Sequence, residues 1–185
     1  AISLNIAATD FGENGRYQLS TDGKTVDSDG LSEMLLGWLK RYPIVAIEDP
    51  LGEDDPEAMA AFTKAVGGSV EVIADNFICT TASRIENASR IGACNTALIK
   101  PYQAGTLTET KAALDAARTA GWEAIVYARS GETEDVIIVH LAVGWGGVAF
   151  EGRFLRAVRR HSKMERRPSD RGKLRTICGR LNATR

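Results

Sequence analysis

Short apolar runs of strand length alternate with helical patterns along most of this 185-residue chain, and this alternation restricts its fold more than any other feature. Strands that alternate with helices at short, regular spacing are typical of a parallel sheet built with right-handed crossovers. Six such units are predicted, with strands at 2–8, 44–50, 70–76, 96–101, 123–128 and 148–152. The sequence therefore predicts an α/β fold, either a doubly wound sheet or a (β/α) barrel.

The first predicted helix has the clearest pattern, because its apolar residues recur at the spacing of one helical face. They are Leu31, Met34, Leu35, Trp38, Leu39 and Tyr42. Pro43 then ends this helix and the second strand begins. No Gly-x-Gly-x-x-Gly motif follows the first strand, which argues against a dinucleotide-binding version of the fold.

The composition, 44% hydrophobic and 25% charged, is that of one globular domain with room for a core. No apolar run reaches the roughly 18 residues that a membrane-spanning helix needs. Cys79, Cys94 and Cys178 are few and widely spaced, so neither a disulfide framework nor a zinc site is indicated. We therefore expect a cytoplasmic protein, or one from another reducing compartment.

Basic residues are concentrated at the C-terminal end of the chain. Residues 153–185 contain twelve Lys or Arg and two Asp or Glu, a net charge of +10, whereas the whole chain carries −1. Such asymmetry indicates contact with a polyanion or an acidic partner, and a solvated, disordered tail is the alternative. We predict a barrel portion over 1–152 and a basic helix or tail over 153–185.

Polar side chains stand at the end of every predicted strand. They are Asn5, Glu48, Asp75, Lys100, the pair Arg129 and Ser130, and Glu151. In a parallel barrel these ends converge at one mouth, where such folds carry their chemistry. Carboxylates suit Mg²⁺, an amide can add a neutral oxygen ligand, a lysine with a tuned pKa can act as a base, and an arginine suits a phosphate or carboxylate group. Two carboxylates and a lysine on successive strands favour a functional site over simple strand ends that meet solvent.

Several stretches of the sequence are more informative than the spacing of the strands and helices. In chain order they are YPIVAIEDP at 42–50, VIADN at 72–76, ALIK at 97–100, GTLTE at 105–109 and RSGETED at 129–135. On these stretches the chain resembles the C-terminal barrel domain of the enolase (phosphopyruvate hydratase) family, from about residue 2 to residue 152. The resemblance implies a partial TIM-type barrel of about six βα units.

The resemblance also implies a metal site. Enolases hold an essential Mg²⁺ with three acidic residues at strand ends, and Glu48 and Asp75 match two of them. The third acid is an Asp in the family, and Asn5 stands at its position. Because an amide carries no charge, this exchange implies that Mg²⁺ binding is weak or absent.

Catalytic and substrate-binding positions follow from the same resemblance. Lys100 matches the lysine that removes the α-proton of the substrate. Arg129 matches the arginine that holds the substrate phosphate, and Ser130 matches the serine that contacts a second Mg²⁺. Gln103 is also a family-like residue and is assigned to substrate binding.

Three positions depart from the family pattern. Asn5 replaces an Asp, Ala128 replaces a His, and Glu151 replaces the lysine that binds the substrate carboxylate. Family members also carry an N-terminal capping domain and two further strands and helices before the six units. Two glutamates that assist the leaving hydroxyl belong to that part, and we expect this chain to begin after it.

We therefore predict an enolase-like protein with a degraded active site, acting as a non-catalytic structural or binding subunit. The alternative is a Mg-dependent enolase, which converts 2-phosphoglycerate to phosphoenolpyruvate in glycolysis, or a related lyase, completed by segments that this chain lacks. Six strands leave two open sheet edges. We expect another protein chain or a second copy of this one to cover them.

Overall fold

The computed structural model describes residues 1–127, 137–145 and 149–151, the last of these by their backbone alone. The strands in these ranges are β1 (Ile2–Asn5), β2 (Gly12–Glu13), β3 (Arg16–Leu19), β4 (Lys24–Asp27), β5 (Ile44–Glu48), β6 (Glu71–Ala74), β7 (Thr96–Ile99), β8 (Glu123–Tyr127) and β9 (Ala149–Glu151). The helices in these ranges are α1 (Ser28–Arg41), α2 (Pro56–Val66), α3 (Ala82–Ile91), α4 (Pro101–Ala104), α5 (Leu107–Thr119) and α6 (Ile137–Gly144).

Six of the strands form one parallel sheet in the order β1-β5-β6-β7-β8-β9, which is also their order along the chain. A doubly wound sheet reverses its strand order partway, whereas a barrel adds each new strand on the same side. The predicted α/β partial barrel is therefore confirmed. The helix expected after β9 and the predicted boundary at residue 152 lie outside the described residues.

Side chains on these strands alternate between two buried faces of the sheet. Ile47 and Val72 are examples from the face that packs against the helices. The opposite face, which is the barrel interior, carries an apolar cluster of Ala46, Ile73, Leu98 and Ile125. Two residues further along the chain, Glu48, Asp75 and Lys100 continue this interior face beyond the apolar cluster. The alternation thus brings the polar strand ends to one side of the sheet.

A three-stranded antiparallel sheet, β2-β3-β4, fills the segment between β1 and α1, which contains none of the six predicted strands. This small sheet and the helical turn before it, Ala8–Asp10, hold the loop that follows β5. The buried Tyr17 hydroxyl accepts a hydrogen bond from the backbone N–H of Gly52 (2.9 Å), and Thr9 Oγ1 accepts one from Glu53 (3.1 Å). Gly12 is needed below Tyr17, because a Cβ there would overlap the aromatic ring.

None of the helices in the described ranges has the length and apolar character needed to cross a membrane. Cys79 and Cys94 are free thiols. Burial raises the pKa of the Cys94 thiol above its ordinary value, so this residue is an unreactive part of the core. The reducing compartment expected from the sequence stays a prediction.

Asn95 acts as a substitute for strand pairing at the start of β6. Its Oδ1 accepts a hydrogen bond from the backbone N–H of Val72 (2.7 Å), and its Nδ2 donates one to the carbonyl of Val70 (3.0 Å). Its own backbone N–H donates to the carbonyl of Val72 (3.2 Å). A single residue therefore satisfies three backbone groups beside the sheet.

The replacement Asn95→Ala should lower the free energy of unfolding by about 2 to 6 kcal/mol, because two partly buried backbone groups each lose a partner worth roughly 1–3 kcal/mol. Chemical denaturation followed by circular dichroism measures the change. Asn87→Ala, at an exposed position of α3, is the matched control and should change the same free energy by less than about 0.5 kcal/mol. Equally small changes in both variants would contradict the bridging role of Asn95.

Candidate active site

Three titratable side chains meet at the carboxyl ends of β5, β6 and β7. Glu48 is the last residue of β5, and Asp75 and Lys100 directly follow β6 and β7. They are 8%, 8% and 9% exposed, respectively. Pro101 restricts the residue before it to extended backbone, so Lys100 (φ −119°, ψ 105°) continues the side-chain alternation of β7. The structure brings together the three residues that the sequence analysis placed at one barrel mouth, and their roles stay predictions.

Lys100 forms a buried ion pair with Asp75 through Nζ and Oδ2. The same Nζ lies 5.1 Å from the centre of the Tyr127 ring, which is the distance of a cation–π contact. Burial alone would lower the pKa of Lys100, but the hydrogen bond and the negative charge of Asp75 outweigh burial and raise the pKa. Lys100 is therefore an ammonium group in this arrangement, whereas a general base has to be unprotonated.

Gln103 forms a hydrogen bond with the second carboxylate oxygen of Asp75. It lies in α4, the single helical turn that Pro101 begins, and its backbone N–H donates to the carbonyl of Lys100 (3.0 Å). Its Nε2 donates a hydrogen bond to Asp75 Oδ1 (3.0 Å). Both carboxylate oxygens of Asp75 thus have a partner, Lys100 at one and Gln103 at the other. Gln103, which is predicted from the family resemblance, therefore contacts Asp75, and its role in substrate binding stays a prediction.

Asn5 and Glu48 are opposite each other in the register of β1 and β5. The side-chain Nδ2 of Asn5 donates a hydrogen bond to Glu48 Oε1 at 2.9 Å. The amide nitrogen therefore faces the carboxylate. An Asp at this position would place two carboxylates at the same distance, and their repulsion would favour a proton or a cation between them. The amide stabilises the Glu48 carboxylate without either.

Asp49 belongs to the site, although the sequence analysis did not select it. It is 3% exposed, and its carboxylate accepts hydrogen bonds from the backbone N–H groups of Asp75 (3.0 Å) and Asn76 (2.8 Å). Burial raises the pKa of Asp49 to about 6, against the lowering effect of these two hydrogen bonds. Simple alternation places residue 49 on the face opposite to Glu48, but a φ of +40° turns the backbone here. The carboxylate directly before Pro50 was the only signal in the sequence.

The carboxylates of Glu48, Asp49 and Asp75 each place an oxygen within 4.8 Å of the other two. Hard oxygen donors at this spacing fit a small divalent cation such as Mg²⁺. The two carboxylates predicted as ligands are thus adjacent, and Asp49 supplies the third acid of the cluster. Asn5 borders the cluster through its hydrogen bond to Glu48, and its role as a ligand stays a prediction.

The remaining predicted positions lie after β8 or at the end of β9. Ala128, Arg129 and Ser130 lie outside the described residues. Glu151 is the last residue of β9, and its backbone is opposite Tyr127 in the register of the two strands. The end of β9 is therefore next to the strand whose aromatic ring covers Lys100.

Comparison with known proteins identifies the family of this chain. The family model described as enolase, C-terminal TIM barrel domain, matches residues 1–161. Proteins named Enolase 2 from Pseudomonas syringae pv. syringae (strain B728a) and from Pseudomonas syringae pv. tomato (strain ATCC BAA-871 / DC3000) are each 41% identical to the chain over 145 residues. The match covers 78% of this chain and 34% of either relative, so the chain spans about a third of their length. The chain therefore belongs to the enolase family and contains its C-terminal TIM barrel domain.

Proposed function

We propose that this chain is an enolase-family polypeptide with a degraded active site, which binds Mg²⁺ weakly and acts as a structural or binding subunit. The observation that carries this proposal is the contact between Asn5 and Glu48. The amide of Asn5 takes the place of a third acidic ligand, and its nitrogen already donates to an oxygen of Glu48. A cation would have to displace this hydrogen bond and would gain no charge from Asn5 in return.

Glu48, Asp49 and Asp75 are the residues that would hold a cation here. When bound, Mg²⁺ supplies positive charge against the negative charge that develops on a substrate carboxylate after loss of the α-proton. Glu151 stands where the family has a lysine, so a negative charge replaces a positive one. At an effective dielectric of about 20, this reversal at about 4 Å is worth several kcal/mol against the charged intermediate. Weak cation binding and the negative charge of Glu151 therefore both disfavour the step that removes the proton.

Lys100 adds a further obstacle to catalysis. Removal of an α-proton needs a neutral amine within reach of the substrate carbon. The ion pair with Asp75 and the ring of Tyr127 both favour the ammonium form. A substrate or cation that drew Asp75 away would have to separate a buried ion pair first. The arrangement supports binding and rigidity better than proton removal.

A second candidate function is that of a Mg-dependent enolase, acting on 2-phosphoglycerate in glycolysis, or of a related lyase. The observation in its favour is that Lys100, Asp75, Glu48 and Gln103 are assembled in one buried network. Such an enzyme also needs acid catalysts for the leaving hydroxyl, which another polypeptide or a further part of the same one would supply. The activity assay below separates the two candidates.

The open side of the sheet supports the proposal of a partner. In the described part of the chain, β1 has a neighbour on one side alone, and Ile2 is 39% exposed at this edge. A barrel needs about eight strands for side chains to fill its interior. We propose that another chain, a second copy or further residues of a longer polypeptide cover this edge. The net charge of +10 over 153–185 supports a second contact, with a polyanion or an acidic partner.

Mg²⁺ binding should be weak in the chain as it stands, and Asn5→Asp should tighten it roughly tenfold, because a third charged ligand replaces a neutral one. Isothermal titration calorimetry with MgCl₂ measures both affinities. Asn87→Asp adds the same charge at an exposed position of α3 and should leave the affinity unchanged. Micromolar or tighter binding by the original chain, lost in Glu48→Gln, would count against the proposal.

The chain should not dehydrate 2-phosphoglycerate, because Lys100 is paired with Asp75 and the charge of the intermediate is not neutralised. The assay follows phosphoenolpyruvate formation by absorbance at saturating Mg²⁺. Turnover within about a hundredfold of an ordinary enzyme's roughly 10 s⁻¹ would favour the second candidate function if Lys100→Ala abolished it. Turnover that survives Lys100→Ala would indicate a contaminating enzyme.

The chain alone should self-associate or fold incompletely, because an unpaired strand edge with exposed apolar side chains pairs readily with another strand. Size-exclusion chromatography with light scattering measures the oligomeric state. Ile2→Lys, at the edge of β1, should reduce self-association, whereas Ile91→Lys, which is equally apolar and 46% exposed on α3, should not. A monodisperse monomer that unfolds cooperatively would refute the proposal.

A further inference from the structure

Thr80 is a buried hydroxyl residue beside the site to which the proposed function assigns no role. It is 1% exposed and follows Cys79 in the loop between β6 and α3. Both residues have positive φ angles, +43° for Cys79 and +48° for Thr80. A β-branched residue in this region is a true outlier and costs backbone free energy, so the surrounding contacts have to hold it there.

Two short hydrogen bonds fix the Thr80 hydroxyl, and the carbonyl of Leu98 lies at the longer distance of 3.5 Å. The hydroxyl oxygen accepts from the backbone N–H of Lys100 at 2.9 Å, and its proton is directed to Gln103 Oε1 at 2.6 Å. Gln103 Nε2 in turn donates to Asp75 Oδ1 at 3.0 Å. Because an ionised carboxylate can only accept, the amide nitrogen of Gln103 has to face Asp75. Its oxygen then faces Thr80, which has to donate.

The loop that carries Thr80 is also hydrogen-bonded to the backbone of Asp75. The carbonyl of Asp75 accepts from the backbone N–H groups of Ile78 (3.2 Å) and Cys79 (2.8 Å). The main chain of Asp75 is thus held by its own loop, and its side chain is held by Gln103 and Lys100. Thr80 contacts both of these partners at once, and in each case through the same hydroxyl group.

We infer that Thr80 is a positioning residue, which orients the Gln103 amide and thereby the Asp75 carboxylate. The inference extends the proposed function and rests on it where it concerns cation binding. Thr80 acts on a cation through Gln103 and Asp75 and does not touch the cation itself. Loss of the hydroxyl frees the Gln103 amide to rotate, and Asp75 then loses the partner that fixes its Oδ1.

The first measurement needs no cation. The chain contains two glutamines, Gln103 in the site and the exposed Gln18 in β3, so selective ¹⁵N-glutamine labelling yields two pairs of side-chain amide signals, one pair for each residue. In Thr80→Val, which keeps the shape of the residue, the Gln103 signal should shift or broaden, and the Gln18 signal should stay unchanged. Thr80→Ser keeps the hydroxyl and should retain the original Gln103 signal.

Thr110→Val is the matched control, because Thr110 is also fully buried and its hydroxyl also has a hydrogen bond, to the carbonyl of Thr106 (2.7 Å) in α5. It should leave the Gln103 signal in place. If Thr80→Val does not fold, Thr80→Gly removes the hydroxyl at a positive φ that suits glycine and should give the same spectral change. An unchanged Gln103 signal in both hydroxyl-free variants would overturn the inference.

The second measurement is titration with Mg²⁺, or with Mn²⁺ as a paramagnetic substitute. Thr80→Val should weaken binding about five- to tenfold relative to the original chain and to Thr80→Ser. A shifted Gln103 signal with unchanged cation affinity would overturn the part of the inference that concerns Asp75. If no variant and not even the original chain binds a cation, the proposed cation site fails, and the amide spectra still decide whether Thr80 orients Gln103.

Discussion

Burial of opposite charges at the barrel mouth is the constraint on which the rest of the site depends. Asp75 and Lys100 are almost fully shielded from water, and a buried charge that loses its partner costs several kcal/mol. Neighbouring elements therefore have to supply partners. Gln103 from α4 and the Tyr127 ring from β8 contact this pair, and Asp49 at the end of β5 holds the backbone of Asp75. Four successive strand ends are joined through one ion pair.

The geometry of the site and the chemistry of proton removal make different demands on the same charges. A hydrogen-bonded network needs donors and acceptors in the right places, and the amide of Asn5 satisfies Glu48 as a donor. Catalysis by proton removal needs more, namely positive charge where the intermediate becomes negative. The amide of Asn5 supplies a hydrogen-bond donor to Glu48 but no negative charge for a cation.

Much of the fold could be predicted from the sequence, because periodicity within one segment reports which face is buried. Leu31 and Leu35 are buried in α1 as predicted, whereas Trp38 is 37% exposed at its far end. The sheet β2-β3-β4 was missed because its strands are short, and a contact distant in sequence, between Tyr17 and Gly52, helps to hold it. The single turn of α4 was missed because four residues contain no helical period.

The sequence by itself determined the barrel architecture, the family and the meeting of Glu48, Asp75 and Lys100 at one mouth, since alternation along each strand decides the direction of its side chains. Only the tertiary structure decided that Asp49 joins this group and that Thr80 connects Lys100 with Gln103. The physical reason is that both residues depend on backbone with positive φ and on contacts between different strands and loops. Neither a positive φ nor a contact between distant segments produces a periodic pattern in the sequence.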